Sequence, residues 1–186
     1  MEYGAGVPLA AIVAVCQAQP RVQILVDAAQ SVGTLPLNLT ALGADFYAFT
    51  GHKWWGGPAG VGGLYVRPAA LASLSPTFMG WRSVQVDAAG QPIAAQPDGR
   101  RYEIATSAVP LYAGLRAAIA LHNAFAPAAA RYRQICDRSA DLWQRLSALP
   151  QVNCLKASPP AAGLVSFQLG DRALDQAVQR LESQDI

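Results

Sequence analysis

Charge is scarce in this chain of 186 residues: Asp, Glu, Lys and Arg make up only 14%, the formal net charge is +2, and no run of one sign occurs. That excludes the basic footprint of a nucleic-acid binder and any polybasic hold on a membrane surface. Long apolar runs are missing too. Gly, Pro or a polar residue breaks each one well before the ~20 residues of a membrane span, and no charged start leads into an apolar block with a cleavage site. The expectation is a soluble, cytoplasmic protein with neither nucleic acid nor membrane as partner. The cysteines, Cys16, Cys136 and Cys154, are three in number. With no CxxC spacing and no nearby His pair they suit neither a disulfide framework nor a zinc site, and read as reduced thiols. The Asn38-Leu39-Thr40 triplet then carries no glycan.

What is present is apolar: 52% of the residues are hydrophobic, enough for one core and part of a second. Helical spacing runs from Pro8 to Gln19, where Pro20 ends it. "VQILVD" (22–27) and "DFYAFT" (45–50) are nearly continuous apolar runs, the signature of strands covered on both faces. "VGGLYV" (61–66) follows the second through a Gly/Pro turn too short to cross a sheet, so it runs antiparallel to its predecessor. Residues 67–101 read as irregular. Helical spacing returns over Val109–Phe125 and Pro127–Leu149, with Pro127 suited to a first turn. "VNCLKA" (152–157), "GLVSFQL" (163–169) and a helix from about Arg172 to Gln184 begin a small α+β unit.

Asp27 closes one of these strands and Lys53 lies just past the end of the next. In open α/β sheets that carboxyl edge is where ligands bind. An amine there can form a Schiff base with an aldehyde cofactor, and a carboxylate can hold a pyridine nitrogen protonated so that the ring withdraws electrons. Pyridoxal 5'-phosphate requires both. Gln30 could reach the phenolic oxygen of the ring, and Thr50 and His52 its phosphate. Taken singly, an Asp after a strand is most often a cap and a lone Lys a solvated charge. The Gly cluster 56–63 matches no nucleotide-binding pattern and reads as a tight turn with close backbone packing. His122 reads as a surface residue, and Trp54 and Trp55 as core packing before cofactor walls.

The combination is more specific than its parts. "VDAAQSVGTLPLNLTALGADFYAFTGHKWWGGPAGVGGLYVRP" resembles the cofactor-lysine region of class V aminotransferases, the fold-type I pyridoxal-phosphate family that includes cysteine desulfurases. "FMGWRSV", "RYEIATSAVP" and "YAGLRAAIALH" extend the likeness toward the cyanobacterial cyst(e)ine C–S lyase branch. The resemblance implies that Lys53 is the Schiff-base lysine and Asp27 the pyridinium partner. It also implies that Gln30 bonds the phenolic oxygen and that Thr50 and His52 lie at the phosphate. Thr106 matches a threonine that reaches the phosphate of a second subunit, which implies a homodimer. Trp81 and Arg82 match a loop at the substrate entrance.

By the same resemblance the fold is α/β. Residues 1–107 belong to a partial large domain with a mixed, mainly parallel sheet, and residues 108–186 to a partial C-terminal α+β domain. The family's first half and final tail have no counterpart here, so the chain reads as an internal fragment. The implied reaction is C–S β-elimination from cystine or cysteine, giving pyruvate, ammonia and persulfide or sulfide. A cysteine desulfurase or another enzyme of the same fold is the alternative, as is an inactive truncated fragment.

Overall fold

The computed structural model describes residues 6–170 and 174–186, so Arg172, the expected start of the last helix, lies outside the described residues. The chain forms two compact units. One comprises Pro8–Gly33 and Leu37–Phe125, the other Met1–Val7, Thr34–Pro36 and Ala126–Ile186.

The first unit opens with helix α1 (Leu9–Gln17), strand β1 (Leu25–Asp27), the single turn α2 (Leu39–Leu42), β2 (Phe46–Thr50) and β3 (Gly62–Val66). The strands form one mixed sheet in the order β1-β2-β3. β1 and β2 are parallel, with Asp27 opposite Ala48. β2 and β3 are antiparallel, as the short connection requires, with Thr50 opposite Gly62. Val13 of α1, Ile24 and Ala44 form a buried cluster, with Leu9, Cys16, Val26 and Leu42 packed around it. The side chain of Asn38 accepts from the Ala41 amide at 3.0 Å and caps α2. Gly43, at φ 77°, ends that helix in the left-handed region. The Asn-Leu-Thr triplet is thus a helix start.

Two readings of the sequence need correction here. β1 is not covered on both faces: Leu25 is 67% exposed and Leu64 of β3 is 50% exposed. Both side chains lie on the face shared by Phe46 and Ala48, and among the described residues that face stays open as a shallow apolar groove. The stretch 67–101 is also more ordered than its Pro and Gly content suggests. It holds a 3-10 turn (Pro68–Ser73) and a hairpin of β4 (Val84–Val86) with β5 (Pro92–Ala95). Asp87 makes the hairpin turn by accepting from the amides of Ala89 and Gln91, both at 2.9 Å. Gly90, at φ 79°, completes it.

Helix α3 (Val109–Phe125) ends the first unit. Its buried Leu115 presses on the turn after β2, where a Cβ added to Gly51 would stand 2.8 Å from Leu115 Cδ1. The second unit contains α4 (Ala128–Ser147), a short antiparallel pair of β6 (Asn153–Cys154) and β7 (Phe167–Gln168), and α5 (Leu174–Glu182). Pro127 takes the cap position, one residue ahead of α4. The expected strand 152–157 shrinks because the Trp143 indole of α4 donates to the Lys156 carbonyl at 3.0 Å, drawing that backbone group out of any ladder. The three cysteines are free and half-buried. Among the described residues no helix is long and apolar enough to cross a membrane.

Candidate active site

The carboxyl ends of the parallel strands β1 and β2 carry the residues singled out in the sequence. Asp27 is the last residue of β1, and the chain turns directly after it. Its Oδ1 accepts from the Ala29 amide at 3.0 Å, so the aspartate does cap a turn. The amides of Ser31 and Val32 return to the Ala28 carbonyl at 3.0 and 3.1 Å and wind residues 28–33 into a tight coil. Ala28 is fully buried, whereas the Asp27 side chain stands at the surface. An acid that caps a turn through one oxygen while remaining open to solvent can still bind a ligand.

Thr50 ends β2, and the next residues turn sharply. Gly51 donates to the Val61 carbonyl at 2.7 Å, Gly57 to Gly51 at 2.9 Å and Gly56 to Lys53 at 3.0 Å. Lys53 and His52 therefore project from a closed loop and are exposed. Among the described residues, neither Lys53 nor Asp27 takes part in an ion pair. The Thr50 hydroxyl and His52 Nδ1 lie 2.9 Å apart, and either can donate according to the imidazole tautomer. The glycines of this region permit close approach, as expected. A Cβ on Gly62 would sit 2.2 Å from the Phe49 carbonyl oxygen, and one on Gly63 would sit 2.6 Å from the Phe49 ring.

The two turns are joined. Trp54 Nε1, one residue past Lys53, donates to Gln30 Oε1, three residues past Asp27, at 2.9 Å. Behind them, the Ser31 and Tyr47 hydroxyls are 2.6 Å apart. The sequence reading of Trp54 as core packing missed this bond. The only available signal was the indole N–H itself, which needs a partner when partly buried. Trp55 packs edge-on against His122 with ring centroids 5.3 Å apart. His122 is thus half-buried and in contact, where its position on a helix suggested a surface residue.

Trp81, Arg82 and Thr106 occupy a second pair of segments in the same unit. Trp81 is exposed, and the Arg82 guanidinium lies 5.8 Å from the centre of its ring. Arg82 pairs with Glu103 Oε2 at 3.2 Å and donates to Ser107 Oγ at 3.3 Å. Thr106, exposed, lies in the irregular stretch between these two anchors.

The comparisons with known proteins bear on this arrangement. The family model described as aminotransferase class-V matches residues 2–186. The chain belongs to that family. A solved structure of the cystine C–S lyase C-DES, in complex with its reaction product cysteine persulfide, is 49% identical and superposes with a TM-score of 0.93 over 99% of this chain and 49% of its own. A mutant of C-DES with glycine covalently linked to the PLP cofactor is 51% identical, with a TM-score of 0.92 over 99% of this chain and 49% of its own. A cysteine desulfurase of Serratia proteamaculans is 36% identical over 153 residues, which is 80% of this chain and 36% of the relative. The chain therefore spans about half the length of those solved structures and about a third of that desulfurase. Its α/β architecture is that of the PLP-dependent class V aminotransferases, present in part.

Proposed function

We propose that this chain is the cofactor-lysine part of a pyridoxal-phosphate C–S β-lyase that cleaves cystine or cysteine to pyruvate, ammonia and persulfide or sulfide. The observation that carries the reading is the joined pair of turns, which presents Asp27 and Lys53 at one sheet edge as exposed groups with no ion pair among the described residues. Likeness to a cystine C–S lyase through 99% of the chain supports it.

The donor set fits the cofactor. Asp27 supplies a carboxylate for a pyridine nitrogen, Lys53 an amine for an aldehyde, Gln30 an amide for a phenolic oxygen, and Thr50 with His52 hydrogen bonds for a phosphate. When bound, the cofactor supplies an electron sink for the pair left on Cα. The residues of the chain do the rest. Asp27 would hold the ring nitrogen protonated. Lys53, freed by the substrate amine, would be the general base that takes the Cα proton and would pass it to the departing sulfur as the Cβ–S bond breaks. The released aminoacrylate would take up water to give pyruvate and ammonia.

The reading extends to the family's assembly. The parent protein is a cytoplasmic homodimer in which Thr106 reaches the phosphate of the other subunit and Trp81 and Arg82 flank the substrate entrance. Residues 1–107 belong to the cofactor-binding domain and residues 108–186 to the smaller one. A desulfurase is the second reading, favoured by the name of the Serratia relative.

The test combines product analysis with labelling. Given pyridoxal 5'-phosphate and cystine, the lyase releases pyruvate and persulfide, and Lys53→Ala removes both; alanine released from cysteine identifies a desulfurase instead. Borohydride reduction followed by peptide mapping should find the pyridoxyl group on Lys53 alone. Equal labelling of Lys53 and Lys156 would overturn the assignment.

A further inference from the structure

We infer that Trp54 is a positioning residue: its indole fixes which end of the Gln30 amide faces the ligand and holds the Lys53 turn and the Asp27 turn at one spacing. The inference rests on the proposed cofactor site. An indole N–H donates and cannot accept. At 2.9 Å from Trp54 Nε1, Gln30 must present its carbonyl oxygen there, which sets the amide nitrogen, the donor, on the opposite arm. A phenolate oxygen on a pyridine ring accepts only, so this is the orientation that suits it.

Because Trp54 directly follows Lys53, the same bond ties the amine's turn to the aspartate's turn. Two further contacts hold the pair. A Cβ on Gly33, at φ +90°, would meet the Trp54 carbonyl carbon and the Trp55 nitrogen at 3.0 Å, so the two turns touch backbone to backbone. Ser31 is anchored to Tyr47 at 2.6 Å from behind. Hydrophobic bulk at position 54 would preserve the packing without setting the polarity of the amide.

The test uses the whole chain with Trp54→Phe, Trp54→His, Gln30→Ala and Gln30→Glu. Without cofactor, ¹⁵N-labelled protein should show the Trp54 indole resonance displaced by Gln30→Ala and retained, with its partner, in Gln30→Glu. Loaded with pyridoxal 5'-phosphate, the wild-type chain should show a pH midpoint in its visible absorption. Trp54→Phe should raise that midpoint by about half a pH unit, because a weakened donor leaves the phenolic oxygen more basic. Gln30→Glu should raise it further while leaving the indole signal in place, and Trp54→His, which keeps a ring N–H, should recover part of the shift. A midpoint unmoved in Trp54→Phe, or an indole resonance indifferent to Gln30→Ala, overturns the inference while the proposed function stands. If borohydride labelling of the wild-type chain falls equally on Lys53 and Lys156, the proposed function fails and the positioning role falls with it.

Discussion

The hydroxyls of Tyr47 and Ser31 meet at 2.6 Å beneath the turn that follows Asp27. Tyr47 is 1% exposed. Burial pushes its phenol above the ordinary range, and the bond to Ser31 offsets only part of that. The contact adds a side-chain link between β2 and the 28–33 coil, beside the backbone bond from the Ala28 amide to the Ala48 carbonyl at 2.8 Å. Tyr47→Phe should therefore destabilise the chain by about 1 kcal/mol, the net worth of one hydrogen bond, seen as a lower urea midpoint. Amide exchange should quicken first at Ser31 and Val32, which bond the Ala28 carbonyl. Exchange that quickens evenly across the sheet would mean that the bond holds no particular turn.

A second prediction concerns acid. Buried Asp45 accepts from the Ile24 amide at 2.9 Å and from Arg67 Nε at 3.1 Å, with Arg67 Nη2 closing the ion pair. Burial raises its pKa, but the Arg67 guanidinium and the Ile24 amide outweigh burial and leave it below the ordinary carboxylate value. A group depressed in the folded state stabilises above its unfolded pKa, about 3.9. That contribution disappears as pH falls through the folded value. Stability should thus decline as pH falls below about 4, and in Asp45→Asn the decline should be shallower from a lower starting point. Urea midpoints between pH 6 and pH 2.5 would check this; parallel curves for the two proteins would count against it.

Much of this fold was legible because it is local. The runs ending at Asp27 and Thr50 are β-branched and aromatic, and a Gly/Pro connection as short as that between Thr50 and Gly62 leaves only an antiparallel partner. The acid and the amine at the ends of those runs were readable for the same reason. Long-range side-chain choices were not. No periodicity says that Trp54 bonds Gln30 or that Trp143 takes the Lys156 carbonyl, because such pairs are decided by where two turns meet after folding. The open face bearing Leu25 escaped as well. Composition reports that a strand is apolar, not whether anything packs against both of its sides.

The last prediction separates a local brace from a global one. Arg82 joins Glu103 at 3.2 Å and Ser107 at 3.3 Å, one on each side of Thr106. Its own segment is pinned where the Gly80 amide donates to Ser83 Oγ at 2.7 Å. The side chains of Arg82 and Glu103 remain 37% and 48% exposed, so solvent screens the pair. Such pairs contribute about 0.2–1 kcal/mol, and a double-mutant cycle of Arg82→Met with Glu103→Gln should find no more coupling than that. Local order should respond more strongly than global stability. Amide exchange over residues 103–107 should rise several-fold in Arg82→Met with the urea midpoint almost unchanged. Arg82→Lys should give little rescue, because one ammonium on a flexible stem cannot span both partners as a planar guanidinium does. A full rescue by lysine would mean that charge alone holds the Thr106 segment, and a large fall in the urea midpoint would mean that Arg82 supports the whole unit.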